Sequence, residues 1–217
     1  MRNVGRQWQA GYFGRIANGR WAGILGLLLF AAPLSGSLAE SPPLVESSPG
    51  KAEPAYTADG RLKFPATYRE WVYLSSGLDM SYRERVGMES HSMFDNVFVD
   101  PVAYREFVQT GTWPDKTLLV LEIRGAAEKG SINRYGKFQS GEPMDVEVHV
   151  KDAERFAGGW AFFAFPAGEP ARQIPMSADC YACHQQHAAV DTTFVQFYPT
   201  LLGIATRKGA LSRNYRP

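Results

Sequence analysis

The pattern that most constrains this chain is Cys180-Tyr181-Ala182-Cys183-His184, a C-x-x-C-H motif. It contains both cysteines of the 217 residues. Two thiols one helical turn apart can each add to a vinyl group of one haem, and the adjoining imidazole can then bind the iron. The motif therefore predicts one haem c, covalent through Cys180 and Cys183, with His184 as the proximal metal ligand.

Three other uses of these residues stay open from the sequence. A thioredoxin-like redox pair normally opens a helix after a strand of a βαβ unit, and no βαβ pattern precedes Cys180. A zinc site would use Cys180, Cys183, His184 and His187. Its two histidines follow Cys183 so closely that no loop can close a tetrahedron. A structural disulfide is the third alternative, and haem attachment is preferred over all three because the motif is its signature.

The first 39 residues have the features of a secretory signal peptide. They contain four arginines and no acidic residue, and an apolar run covers residues 21–32. This run is shorter than the roughly 20 apolar residues that span a bilayer. Ser37-Leu38-Ala39 offers the small residues of a cleavage site before Glu40. We expect a periplasmic protein, soluble after cleavage, with an uncleaved anchor as the alternative; export suits haem c, which is attached outside the cytoplasm.

Composition narrows the choice of partners. Four of the 23 basic residues and none of the 22 acidic residues lie in residues 1–39, so 19 basic and 22 acidic residues follow. The resulting charge of −3 argues against a nucleic-acid or anionic-membrane partner. Residues 40–58 are rich in Pro, Ser and Glu, which predicts a flexible linker before a haem domain over residues 59–217.

Local patterns predict a single α+β domain. The capping box Thr67-x-x-Glu70 predicts a helix that carries Trp71, Val72 and Leu74. Asp100-Pro101 predicts the start of a second helix, which ends at Gly111. Ser177 or Asp179 could cap the helix of the C-x-x-C-H motif. Strands are predicted at residues 96–99, 117–123, 144–150 and 160–165, and a loop at residues 124–143. We expect an antiparallel sheet with a few short helices and the haem packed against the sheet.

The sixth position of the iron decides between functions, because a Met or His there would make a closed electron carrier. The candidates are Met80, Met88, Met93, Met144, Met176, His149 and His187. Each has an ordinary role as a packing methionine or a hydrogen-bonded histidine, and none stands out. We therefore favour five-coordinate iron. Aromatic residues that could wall a large flat cofactor are Phe94, Phe98, Trp160, Phe162, Phe163, Phe194, Phe197 and Tyr198.

Several segments together resemble the cytochrome P-460 family, over residues 59 to 202. They are Phe64-Pro65-x-x-Tyr68-Arg69-Glu70-Trp71-Val72, Val97-Phe98-Val99-Asp100-Pro101-x-x-Tyr104, Val150-Lys151-Asp152-x-x-Arg155-Phe156, Gly159-Trp160-Ala161-Phe162-Phe163, and the C-x-x-C-H motif followed by Asp191-x-x-Phe194-x-x-Phe197-Tyr198-Pro199. The resemblance implies a β-rich, usually homodimeric c-type cytochrome with an open distal face. One wing of the family oxidises hydroxylamine with a lysine cross-linked to the haem. The other, cytochrome c′-beta, binds nitric oxide or carbon monoxide in an apolar pocket.

Two positions depart from the hydroxylamine-oxidising wing. Leu121 holds the place of the cross-linking lysine, and Asp95 that of a distal arginine. The first hypothesis is therefore an exported haem protein that binds nitric oxide or a similar ligand. The second is an enzyme of hydroxylamine or nitrogen-oxide chemistry, whose acid or base would be Asp95, Glu122 or Glu147. The third is a periplasmic electron carrier with its own redox partner.

Overall fold

An antiparallel five-stranded sheet forms the centre of the structure, a computed structural model that describes residues 52–80, 92–165 and 168–217. Each strand pairs with the next one in sequence. The strands are β1 (Val72–Leu78), β2 (Met93–Val99), β3 (Leu118–Ala127), β4 (Phe138–Lys151) and β5 (Trp160–Ala164). The helices within the described residues are α1 (Pro101–Thr110), α2 (Asp179–His187) and α3 (Pro199–Lys208). The predicted α+β class is confirmed.

The sheet has two covered faces because successive strand residues point to opposite sides. On one face, Phe98, Val120, Val148 and Phe163 form a cross-strand row. The last three are buried in a core that also holds Leu62 from the N-terminal segment, and Phe98 packs against that core. The opposite face supports a second core, to which α1 and α3 contribute apolar side chains. Those side chains are Ala103, Phe107, Leu201 and Ala205.

Helix α1 starts and stops where the sequence predicts. The buried carboxylate of Asp100 accepts hydrogen bonds from the backbone N–H groups of Val102 (3.0 Å) and Ala103 (2.9 Å). Pro101 occupies the first turn, where a missing N–H costs nothing. Gly111 ends the helix at φ 84°, a left-handed conformation that glycine adopts without a Cβ penalty.

The helix predicted from the capping box is wrong. Residues Tyr68–Glu70 form one 3-10 turn, and Thr67 makes no side-chain cap. The chain then enters β1, in which Val72 pairs with Val99 of β2. Val, Tyr and Leu suit a strand as well as a helix, and pairing with β2 decides between them.

Half of the loop predicted at residues 124–143 is strand instead. β3 continues to Ala127 and β4 begins at Phe138, so only residues 128–137 connect the two strands. A register shift between Ile123 and Gly125 lets the ladder continue through this Gly- and Ser-rich sequence. Backbone pairing needs no particular side chain, which explains why composition hid these strand ends.

The N-terminal predictions fall largely outside the described residues, which begin at Ala52. The signal peptide and residues 40–51 of the linker are therefore not addressed. Tyr56, within the predicted linker, pairs with Leu62 and lies under the guanidinium of Arg155 at 3.8 Å. Residues near Tyr56 thus belong to the folded domain. In the described part of the chain no helix is long and apolar enough to cross a membrane.

Replacement of Asp100 by alanine tests the α1 cap. We expect Asp100→Ala to lower the free energy of unfolding by about 1–2 kcal/mol, because two backbone N–H groups lose their acceptor. Asp100→Asn keeps an oxygen at the cap and should retain most of the stability. Urea denaturation measures both; equal loss in the two variants would contradict the capping role.

Candidate haem-binding site

Helix α2 presents the motif on one face. Cys180, Cys183 and His184 stand at spacings of three and four residues, which places their side chains side by side. Both cysteines are free and half-buried. The helix starts after Ala178 without a side-chain cap, so neither predicted capping residue acts as one. Tyr181 ties α2 to the sheet instead, since its hydroxyl donates to Ile174 O (3.0 Å) and accepts from Phe162 N (3.2 Å).

The orientation of His184 is fixed by one hydrogen bond. Its Nδ1 lies 2.7 Å from the carbonyl oxygen of Thr192. A carbonyl only accepts, so Nδ1 carries the proton and Nε2 keeps a free lone pair. Phe194 and Phe162 hold the ring, with centroids at 4.2 and 4.6 Å. Burial lowers the pKa of His184 below its ordinary value, against the opposing effect of the Thr192 hydrogen bond.

A cavity of about 320 Å³ lies between the sheet and His184. Its sheet wall includes two cross-strand rows. One row pairs Leu119 with His149 and His149 with Phe162, and the next pairs Leu121 with Glu147. Rows two residues apart along a strand are separated by roughly 7 Å. Phe194, Phe197 and Tyr198 complete the wall from the segment after α2.

His149 lies beside His184 rather than across the cavity from it. The two ring centroids are 5.4 Å apart, and His149 stacks on Phe162 at 4.0 Å. Its Nε2 forms a hydrogen bond of 3.2 Å with the Thr192 hydroxyl. Burial holds the pKa of His149 well below its ordinary value, so the ring is neutral.

Two carboxyl groups, Asp95 and Glu147, line the cavity together with apolar Val97 and Leu121. Burial raises the pKa of Glu147, and the negative charges of Asp145 and Asp95 add to the effect. The cavity therefore differs from the apolar pocket that the resemblance to cytochrome c′-beta implies. A carboxyl group gives it a hydrogen-bonding and proton-accepting side chain.

Glu122, the third acidic candidate, lies on the opposite face of the sheet. It accepts a hydrogen bond of 2.5 Å from the hydroxyl of Tyr68. It also pairs with Arg69 at 2.8 Å and with Arg124. Strand alternation explains the placement, because Leu121 points into the cavity and the next residue must point away. Glu122 is thus a structural carboxylate.

The predicted wall residues divide between the two faces in the same way. Val97 lines the cavity, whereas its neighbour Phe98 packs against Tyr68 on the far side at 5.6 Å. Trp160 shares the cavity face but is buried in the core beside His149, at 4.4 Å. Phe162, Phe194, Phe197 and Tyr198 line the cavity; Phe94, Phe98, Trp160 and Phe163 do not.

Most candidates for a sixth iron ligand lie away from the cavity. Met144 and Met176 are 53% and 49% exposed, and His187 is exposed on α2. Met93 does not line the cavity, and Met88 lies outside the described residues. Met80 does line it, with its sulfur over Gly77 where a Cβ would stand 2.3 Å away. Met80 is therefore the methionine to test.

The alternative uses of the motif find less support. Among the described residues, no three His, Cys, Asp or Glu side chains are grouped to hold a metal ion, which counts against the zinc site. Partial burial raises the pKa of the Cys180 thiol, with Glu147 and Asp179 adding to the rise. A redox-active C-x-x-C pair normally has the opposite shift.

Sequence reasoning overlooked Thr192, whose carbonyl orients His184 and whose hydroxyl reaches His149. Thr192 stands inside the Asp191-x-x-Phe194 segment, but a backbone acceptor leaves no trace in residue type. His149 was considered only as an iron ligand. Strand alternation places His149 on the same face as Glu147, but its burial follows only from the structure, in which it pairs with Leu119 and stacks on Phe162.

The residues at this site fit a haem: two free thiols, an imidazole with an unprotonated Nε2, and a cavity with aromatic walls beside it. Together with the fold, they define a haem protein. The family model for cytochrome P460 matches residues 65–195, more than half of the chain. The chain belongs to the cytochrome P460 family. No curated protein is similar enough to count as a match.

The raised pKa of Glu147 predicts a pH-dependent stability. Its charged form is disfavoured in the folded state, so its contribution is greatest below the unfolded pKa of about 4.5 and is lost as pH rises. Glu147→Gln cannot ionise. We therefore expect the free energy of unfolding of Glu147→Gln to increase relative to that of the parent as the pH rises from about 4 to about 7. Urea denaturation across this range tests the prediction, and a constant difference between the two proteins would contradict the raised pKa of Glu147.

Proposed function

We propose that this chain is an exported haem c protein whose open iron binds nitric oxide or a similarly small ligand. One haem would be covalent through Cys180 and Cys183, with His184 on the iron. The observation that carries the proposal is the hydrogen bond from His184 Nδ1 to Thr192 O, which leaves Nε2 as a free ligand at the cavity wall. When bound, the haem supplies an iron whose sixth position is open to small molecules.

The chain's own residues favour a small, weakly polar ligand. Val97 and Leu121 give part of the cavity an apolar surface, and Leu121 has no amine to bond to the haem. Among the described candidates for a sixth ligand, Met93, Met144, Met176 and His187 do not line the cavity, whereas Met80 and His149 do, His149 beside His184. These placements support five-coordinate iron.

Export and assembly are part of the same proposal. The basic and apolar segment of residues 1–39 supports secretion to the periplasm. The family membership supports a homodimer, since cytochromes of this kind are usually dimeric. A periplasmic redox partner would reduce the iron before ligand binding.

Gas binding tests the proposal. We expect the ferrous holoprotein to change its optical spectrum with carbon monoxide and with nitric oxide, because no protein ligand must leave first. Met80→Ala is the matched variant, and it should respond in the same way.

A low-spin ferrous spectrum that ignores both gases would contradict the proposal. If Met80→Ala then became high-spin and bound carbon monoxide, Met80 would be the sixth ligand. That pair of results would establish the electron-carrier alternative.

Glu147 favours a second candidate function, the oxidation of hydroxylamine. A half-buried carboxyl with a raised pKa at the cavity could accept the protons that this oxidation releases. Against it, no lysine of the described residues lines the cavity, and Leu121 stands where the family's cross-linking lysine falls. Lys116 pairs with Asp152, which holds it elsewhere.

Mass spectrometry and turnover distinguish the two functions. The intact mass should equal the protein plus one haem with two thioether bonds and no lysine bond. Turnover of hydroxylamine with an electron acceptor should be absent. Turnover that falls at least tenfold in Glu147→Gln would instead establish the enzyme.

A further inference from the structure

Two polar groups near His184 remain without a role in the proposed function: the imidazole of His149, which lines the cavity, and the hydroxyl of Thr192. The ring of His149 meets that of His184 edge-on, and the Thr192 hydroxyl forms a hydrogen bond with His149. A buried neutral histidine is an unusual core residue, because its two ring nitrogens need hydrogen-bonding partners.

His149 is held in one position by its neighbours. It stacks on Phe162 with centroids 4.0 Å apart and an angle of 18° between the rings. Trp160 packs against it at 4.4 Å, and His184 meets it edge-on at 5.4 Å. With the ring fixed on these sides, Nε2 is a rigid hydrogen-bonding point on the sheet.

Thr192 connects this rigid point to His184. Its hydroxyl forms the 3.2 Å hydrogen bond with His149 Nε2, and its carbonyl accepts the 2.7 Å hydrogen bond from His184 Nδ1. Both groups belong to one residue, so the side-chain anchor limits how its peptide group can rotate.

The residues beside Thr192 are anchored separately. Asp191 pairs with Lys151 at 3.1 Å, and the Thr193 hydroxyl accepts from Trp113 Nε1 at 2.8 Å. Loss of the Thr192 hydroxyl would therefore leave the loop in place and free mainly the orientation of the Thr192 carbonyl.

We propose that His149 and Thr192 are positioning residues that hold the hydrogen bond on His184 and thereby set the reduction potential of the iron. The inference rests on the proposed role of His184 as iron ligand. A hydrogen bond donated by Nδ1 makes Nε2 a stronger electron donor, which stabilises ferric over ferrous iron. A looser carbonyl weakens that bond and shifts the equilibrium toward the ferrous form.

The test compares Thr192→Val, which removes only the hydroxyl, with Thr192→Ser, which keeps it. His149→Phe keeps the stack on Phe162 and removes both ring nitrogens. We expect Thr192→Val and His149→Phe to shift the ferric–ferrous equilibrium about tenfold toward ferrous, a rise of ~59 mV. The iron–histidine stretching frequency of the ferrous holoprotein should fall in both, and Thr192→Ser should match the parent.

Thr206→Val is the control for a lost hydroxyl elsewhere, since the Thr206 hydroxyl donates within α3, to Leu202 O. It should leave potential and stretching frequency unchanged. A reduction potential and stretching frequency equal to those of the parent in both Thr192→Val and His149→Phe would overturn the inference. If one of these variants does not fold, the other is sufficient for the test. Absence of an iron–histidine band in the parent would show that the ferrous iron is not five-coordinate with His184, which would overturn the proposed function rather than this inference alone.

Discussion

One hydrogen bond, from His184 Nδ1 to the carbonyl of Thr192, orders the site. It selects the tautomer of the imidazole, leaves Nε2 unprotonated and joins α2 to the segment that follows it. Phe162 and Phe194 then hold the ring from two sides. Without that hydrogen bond, the C-x-x-C-H motif would supply two thiols and a histidine of undefined direction.

The sheet gives this arrangement its rigid support. Its cavity face carries His149, Leu121 and Glu147 at positions set by cross-strand register, while the opposite face packs around Val120 and Val148. A shift of one residue in β4 would bury Glu147 in the far core and turn Val148 to the cavity. The chemistry of the site therefore depends on register as much as on residue type.

Much of the fold could be read from the sequence, and the exceptions have physical reasons. Asp100, Pro101 and Gly111 predicted α1 correctly because capping chemistry is local. The capping box at Thr67 failed because sheet pairing outweighed a local preference. The C-x-x-C-H motif predicted haem binding. The sequence did not predict the role of Thr192, because Thr192 orients His184 through a backbone carbonyl, which no residue pattern encodes. Phe98 was misplaced because a list of aromatic residues ignores strand alternation.

The most direct test of the account is a crystal structure of the ferric holoprotein from a host that attaches haem c. The account predicts a haem between α2 and the sheet, thioether bonds to both cysteines, Nε2 of His184 on the iron and Nδ1 still bonded to Thr192. Three results would contradict the account: a haem bound elsewhere, a residue other than His184 as the proximal ligand of the iron, or a disulfide between Cys180 and Cys183.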